Sequence, residues 1–300
     1  MTVSPQSQEP TVLAADIGGT KTLVALVRGR DIIASRKIPT ERSSTPDVWI
    51  ASVLEIAQEW SSAYRAAAIT VTGQVHAGLW KGVNHDTLRV SEFDLAAAIS
   101  KFGVPYEILN DAQAAAWGEH IYGSVPGSDL VYLTVSTGLG GGIVAGGKLL
   151  RGHRGLAGHF GLFSQDLLSG DNNPQPFENA ATGPWIARAG SEASKNPQTA
   201  KSVFEQARTG EEWARRIVET SASRVASLCR DISFAIDPPI IVIGGGVGLA
   251  DGYVDSVRRH FAEQMPGQKP EILISELQEH AGIVGVAAFA AQTHLKNGGE

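Results

Sequence analysis

The chain has 300 residues, 43% hydrophobic and 19% charged, which is enough apolar material for two cores and the composition of a soluble globular protein. A formal net charge of -6 argues against a broad nucleic-acid or anionic-membrane footprint, and no apolar run reaches membrane-spanning length. A single cysteine, Cys229, excludes an intrachain disulfide and a cysteine-built zinc cage.

In chain order, residues 1–11 carry neither the basic nor the apolar region of a signal peptide and are expected to be a disordered lead-in. Apolar runs predict strands at 11–15, 23–27 and 31–38, then a helix over 46–64 with Val53, Ile56, Ala57 and Trp60 at helical spacing. A buried strand follows at 66–71, then a polar glycine-containing stretch over 74–89. A helix is expected over 93–102 and a strand over 106–109. The pattern then starts again. A helix at 112–121 precedes strands at 130–135 and 141–145, and residues 152–178 read mostly as loop. The longest helical pattern, 210–235, ends before two prolines. A strand at 240–243, a helix at 251–263, a strand at 271–275 and a helix at 281–294 complete the chain. Strand followed by glycine turn recurs in both halves, so the expected fold class is α/β with two lobes and a cleft between them. Cys229 lies at a helical apolar position and reads as core filling in a reduced, cytoplasmic setting.

Two turns carry the chemistry. Asp16–Lys21 (DIGGTK) and Ser136–Gly142 (STGLGGG) each follow a buried strand and combine glycines with hydroxyls, the first adding a lysine. Glycine lets backbone N–H groups approach an anion, and positive-φ turns form concave anion nests, so the pair reads as a divided polyphosphate grip. Asp16, Gly18, Gly19, Thr20 and Lys21 would form one half, and Thr137, Gly138 and Gly140 the other. Asp16 would meet phosphate through magnesium and water. The plainer alternatives are a hairpin turn and a glycine-rich strand bend. Gly244–Gly248 (GGGVG), with Gly245 and Gly246, offers a bare surface for a base or ribose, or else a tight turn-to-helix junction. Asp111, after the strand at 106–109, is either a helix N-cap or a carboxylate at a strand's C-terminal end that takes a proton from a substrate hydroxyl. His159 sits alone among three glycines in Gly155–Gly161 (GLAGHFG).

Together with LNDAQAAA (109–116), these segments in this order resemble the ROK family of sugar kinases and repressors, over roughly residues 12–291. Within it the likeness is to bacterial N-acetylmannosamine kinases. The resemblance implies a two-lobed actin-like ATPase (ribonuclease H-like) fold with the active site between the lobes. The lobes would be 12–111, with a C-terminal helix over 287–300 packing back on it, and 112–286. It implies ATP and magnesium and a homodimer, while the negative charge and the lack of a spanning run argue against a nucleic-acid or membrane partner. Asp111 is implied as the base for the 6-hydroxyl of N-acetylmannosamine. Gly73, Asn84, Asn110, His159 and Glu178 are implied as sugar contacts. A glucokinase or broad hexose kinase is the alternative, and a sugar sensor without DNA binding a further one. A repressor would need a helix-turn-helix before the first turn, where the chain has only residues 1–11. The family's zinc motif is absent: Leu162 stands at the histidine position, and 163–177 holds no cysteine, so no zinc is expected.

Overall fold

The computed structural model describes residues 9–83, 88–164 and 175–295. They form two compact units. One takes the chain up to Gly127, Leu149–Ala157 and the segment from His280; the other takes Ser128–Lys148 and Gly158–Glu279.

The first unit begins with β1 (Thr11–Ile17), β2 (Lys21–Arg28) and β3 (Asp31–Pro39), then α1 (Pro46–Glu59) and β4 (Ala66–Val71). After the short strands β5 (Gln74–His76), β6 (Leu79–Lys81) and β7 (Phe93–Asp94) come α2 (Leu95–Ile99), β8 (Tyr106–Asn110) and α3 (Asp111–Tyr122). The main sheet runs β3-β2-β1-β4-β8. β1 is antiparallel to β2 and parallel to β4, which is parallel to β8. β4 is buried at every position, as its unbroken AAAITV run requires of a strand covered on both faces. On one face Trp49, Ile50, Val53 and Ala57 of α1 pack into a core shared with Trp80, whose ring lies 5.8 Å from that of Trp49.

The polar stretch after β4 is more ordered than its composition predicts. β5, β6 and β7 form a three-stranded sheet in which Val75 and Trp80 pair across the strands and are buried. Each of β5 and β6 buries a single side chain while Leu79 beside Trp80 is exposed, and the turn between the strands uses Ala77 (φ 49) and Gly78 (φ 81). The pattern is too short to register as alternation.

The second unit contains β9 (Leu130–Val135), β10 (Leu139–Ala145) and the first residue of β11 (Lys148–Leu150), then α4 (Glu178–Ala181), α5 (Gly183–Ser194), α6 (Ala200–Thr209) and α7 (Glu212–Ile236). It closes with β12 (Ile240–Gly244), α8 (Gly245–Gly248), α9 (Tyr253–Gln264) and β13 (Glu271–Ile274). Its sheet runs β11-β10-β9-β12-β13, with β9 antiparallel to β10 and parallel to β12. Each unit thus places a glycine turn in an antiparallel hairpin beside a parallel strand. Cys229 is buried on α7, and burial pushes its thiol up to about 12, which makes it core rather than nucleophile.

The chain ends in α10 (Ala281–His294), which returns to the first unit and packs on α3, β1 and β4. A Cβ on Gly285 would stand 1.8 Å from the carbonyl oxygen of Ala114, so the two helices cross in backbone contact. This crossing holds α3 in the first unit, whereas the expected boundary fell at residue 112. Among the described residues no helix is long and apolar enough to cross a membrane.

Candidate active site

Parallel pairing aligns the C-terminal ends of three neighbouring strands in the first unit. Asp16 pairs with Thr70 and Val71 with Asn110, so Asp16, Gly73, Asn110 and Asp111 gather where β1, β4 and β8 end. Gly73 has φ 102, and a Cβ there would lie 2.5 Å from the carbonyl oxygen of Lys81, so the chain requires glycine. Its carbonyl accepts a 2.8 Å hydrogen bond from Nδ2 of Asn110.

Asn110, not Asp111, caps α3. Its Oδ1 accepts from the amides of Ala112 (3.0 Å) and Gln113 (3.2 Å). Both residue types cap well, and only the backbone geometry separates them. Asp111 is therefore the first helical residue, and its carboxylate is not consumed as the cap. Its Oδ1 accepts from Asn110 Nδ2 and from the Ala112 amide, both at 2.9 Å, which fixes the carboxyl plane.

Asp16 and Asp111 each keep some accessible surface, yet burial lifts both carboxyls well above the usual range. Asp16 rises to about 7 through burial and then the charge of Asp111, with Lys21 opposing. Asp111 rises to about 6 through burial, opposed by its hydrogen bonds from Ala112 and Asn110. Two such carboxylates beside one lysine form a place where further positive charge is favourable. Among the described residues no group of three or more His, Cys, Asp or Glu side chains could hold a metal ion. A cation here would need oxygen ligands from a bound molecule or water.

The first glycine turn closes β1 onto β2 with a 3.1 Å bond from the Gly18 amide to the Lys21 carbonyl, and Thr20 and Lys21 are exposed. Gly18, Gly19, Gly138 and Gly140 are not among the positive-φ glycines. The expected rationale of left-handed nests is thus corrected to close approach. A Cβ on Gly18 would stand 3.1 Å from the Lys21 carbonyl oxygen, and one on Gly138 would stand 3.0 Å from Glu178 Oε2.

The second unit carries the other predicted residues. Glu178 starts α4, and its Oε2 accepts from the Leu139 amide at 3.4 Å, which sets this carboxylate against the second turn beside the exposed Thr137. The turn is held from the other side by the Gly183 amide, which donates to the Ser136 carbonyl at 2.8 Å. His159 precedes a short 3-10 turn, Phe160–Leu162, and both its ring nitrogens are buried. The glycines around it serve packing. A Cβ on Gly158 would meet the Gly141 carbonyl, and one on Gly161 the Leu139 carbonyl, so this loop lies directly on β10. Gly141 in turn makes room for the ring of Phe160, a packing role that was not expected in the glycine run.

Gly245 has φ 83 and touches Thr134 and Val135 closely, as a tight strand-to-helix junction would, whereas a Cβ on Gly246 would meet nothing within 4 Å. Asn84 lies outside the described residues, as does 165–174 of the segment where the zinc motif is missing. The ends of that segment meet: the Phe177 amide donates to the Phe163 carbonyl at 2.8 Å, and Ser164 bridges Pro176. Sequence reasoning passed over Gln113, a fully buried amide on α3 whose Nε2 donates to the carbonyls of Gly155 (3.3 Å) and Ala157 (3.0 Å). A glutamine amid alanines, unable to be buried without partners, was the available signal.

The model of the ROK family matches residues 12–293. Over 282 residues the chain is 44% identical to the bifunctional enzyme NanE/NanK of Brucella melitensis, with 93% of this chain and 54% of that protein covered. The chain thus spans about half the length of that curated relative. It is 35% identical over 288 residues to the N-acetylmannosamine kinase of Shigella flexneri, covering 93% of this chain and 98% of the relative. Among solved structures it is similar to a ROK family glucokinase from Streptomyces griseus in complex with glucose and AMPPNP. That likeness has a TM-score of 0.81 at 27% identity and covers 94% of this chain and 99% of the other. The expected actin-like ATPase fold class is the one observed.

Proposed function

The chain belongs to the ROK family, and from that premise we propose that it is a sugar kinase, transferring the γ-phosphoryl group of ATP to the 6-hydroxyl of N-acetylmannosamine. The observation that carries the reading is the Asn110–Asp111 pair: a carboxylate at the end of a parallel strand, oriented through Oδ1 and released from capping duty by its neighbour. The Streptomyces griseus relative supports the use of ATP, and the Shigella flexneri relative supports the choice of sugar.

Asp111, ionised, accepts the proton of the sugar hydroxyl as its oxygen attacks the terminal phosphorus. The O–P bond to the sugar forms, the bond to the bridging oxygen of ADP breaks, and the proton stays on Asp111 until it passes to solvent. Asn110 orients Asp111 and ties it to the Gly73 carbonyl, so the base and one wall of the sugar site move together. Thr20, Lys21, Thr137 and the exposed amides of the two turns bind phosphate oxygens. Gly245 and Gly246 border the nucleoside, while His159 and Glu178 contact the sugar. Asp16 would hold magnesium through water, and the ion, when bound, would neutralise phosphate charge. The donor chemistry fits, because Asp16 is a carboxylate that burial leaves short of positive charge.

The test is a coupled ADP-release assay comparing N-acetylmannosamine, N-acetylglucosamine, glucose, mannose and fructose at matched concentrations. Preference for N-acetylmannosamine is expected. Preference for glucose would replace the substrate and keep the mechanism.

A further inference from the structure

The start of β8, in the first unit, borders a cavity of about 560 Å3 that the kinase reading does not use. Its lining includes Tyr106, Glu107, Arg151, His76, Gly78 and Ala96. Glu107 lies near the start of β8 and Asp111 just past its end, so about 13 Å of backbone separates the two positions.

The cavity is built from pinned parts. The Glu107 carboxylate is 18% exposed and lies 3.1 Å from His294 Nε2, which also approaches the Tyr106 carbonyl at 3.2 Å. Arg151 donates to the Ile108 carbonyl at 3.2 Å. Those two β8 carbonyls are therefore engaged, which disfavours an added strand on this edge. The opposite wall is equally fixed: Gln113 donates to the Gly155 carbonyl, Gln74 donates to the Arg154 carbonyl at 2.7 Å, and Gly155 presses on Val75. His76 faces His153 with ring centroids 6.3 Å apart.

The lining thus offers one carboxylate, one guanidinium, an imidazole and a phenol ring. Glu107 already meets His294 and Arg151 the Ile108 carbonyl, but an apolar ligand would leave their remaining acceptors and donors unmet, and a phosphate would face Glu107. A neutral ring bearing adjacent hydroxyls satisfies both planar ions, donating to the carboxylate and accepting from the guanidinium, and the volume suits a mono- or disaccharide. We propose that this cavity is a second carbohydrate site, separate from the one at Asp111, in which Glu107 and Arg151 bind a neutral polyhydroxylated ring. It goes beyond the kinase reading and does not depend on it.

The test is amide NMR on the full chain, uniformly labelled with 15N and deuterium, titrated without nucleotide with N-acetylmannosamine, glucose and, separately, inorganic phosphate. Saturable shifts at Gly78, Gly152 and Gly155 are expected with at least one sugar and not with phosphate. Glu107→Gln should raise their midpoint about tenfold, the loss of one charged hydrogen bond, and leave the midpoint at Gly73 and Asp111 unchanged. His76→Ala, which removes no bond that holds the wall, should raise it less. The proposal is overturned if those glycines stay still with both sugars, if phosphate alone shifts them, or if neither variant moves their midpoint. It is likewise overturned if both sets of amides shift together with one midpoint in every variant. Stillness at Gly73 and Asp111 alone would instead count against the kinase substrate.

Discussion

Asp111 carries the proposed chemistry, and its surroundings make the expected effects specific. Replacing it with Asn keeps the shape and the hydrogen-bonded neighbours but removes the proton acceptor. Turnover should fall about 10²- to 10⁴-fold, with sugar binding by calorimetry nearly unchanged. Because burial lifts Asp111 to about 6, kcat/KM should fall on an acidic limb near that pH, where the carboxylate becomes protonated. At Asp16 the consequence is for stability. Its folded value of about 7 lies above the ordinary 3.8, so the native state binds this proton more tightly than the unfolded chain. Its contribution is therefore most favourable below about pH 4 and is lost as pH rises towards 7. Asp16→Asn should raise the thermal midpoint of metal-free protein more at pH 8 than at pH 5, and added magnesium should stabilise the wild type but not the variant.

At the scale of elements, two contacts are open to direct test. Gly285 lets α10 meet α3 through backbone, so Gly285→Val should cost about 3 kcal/mol or more by forcing the helices apart, read as a lower urea midpoint. Gln113→Leu strands the Gly155 and Ala157 carbonyls and should cost roughly 1–3 kcal/mol in the same measurement. Much of this level is legible in the sequence. The buried strands β1, β4, β9 and β12 are largely apolar runs that stop at Asp16, Thr72, Ser136 and Gly244, and α7 keeps its helical spacing for 25 residues. What escaped has physical causes. β5 and β6 each bury one large side chain, α5 and α6 bury few residues, and Asn110 and Asp111 are equally good caps on paper. At the glycine turns, the residue type was legible but its reason was not. Close approach by Glu178 to Gly138 and by Phe160 to Gly141 is a tertiary fact that no local pattern encodes.

Across the whole molecule, each unit presents a glycine turn between antiparallel strands beside a parallel strand, one next to Asp16 and Asp111, the other next to Glu178. Each sheet carries a phosphate-suited turn with acidic side chains beside it, two in the first unit and one in the second, features that suit phosphoryl transfer, where positioning and charge outweigh covalent chemistry. The most direct measurement is ADP release by the purified chain with ATP and magnesium, with and without N-acetylmannosamine. The account predicts release that depends on the sugar, saturates with it, and collapses in Asp111→Asn. Release that is the same without any sugar, or that survives intact in Asp111→Asn, would contradict it.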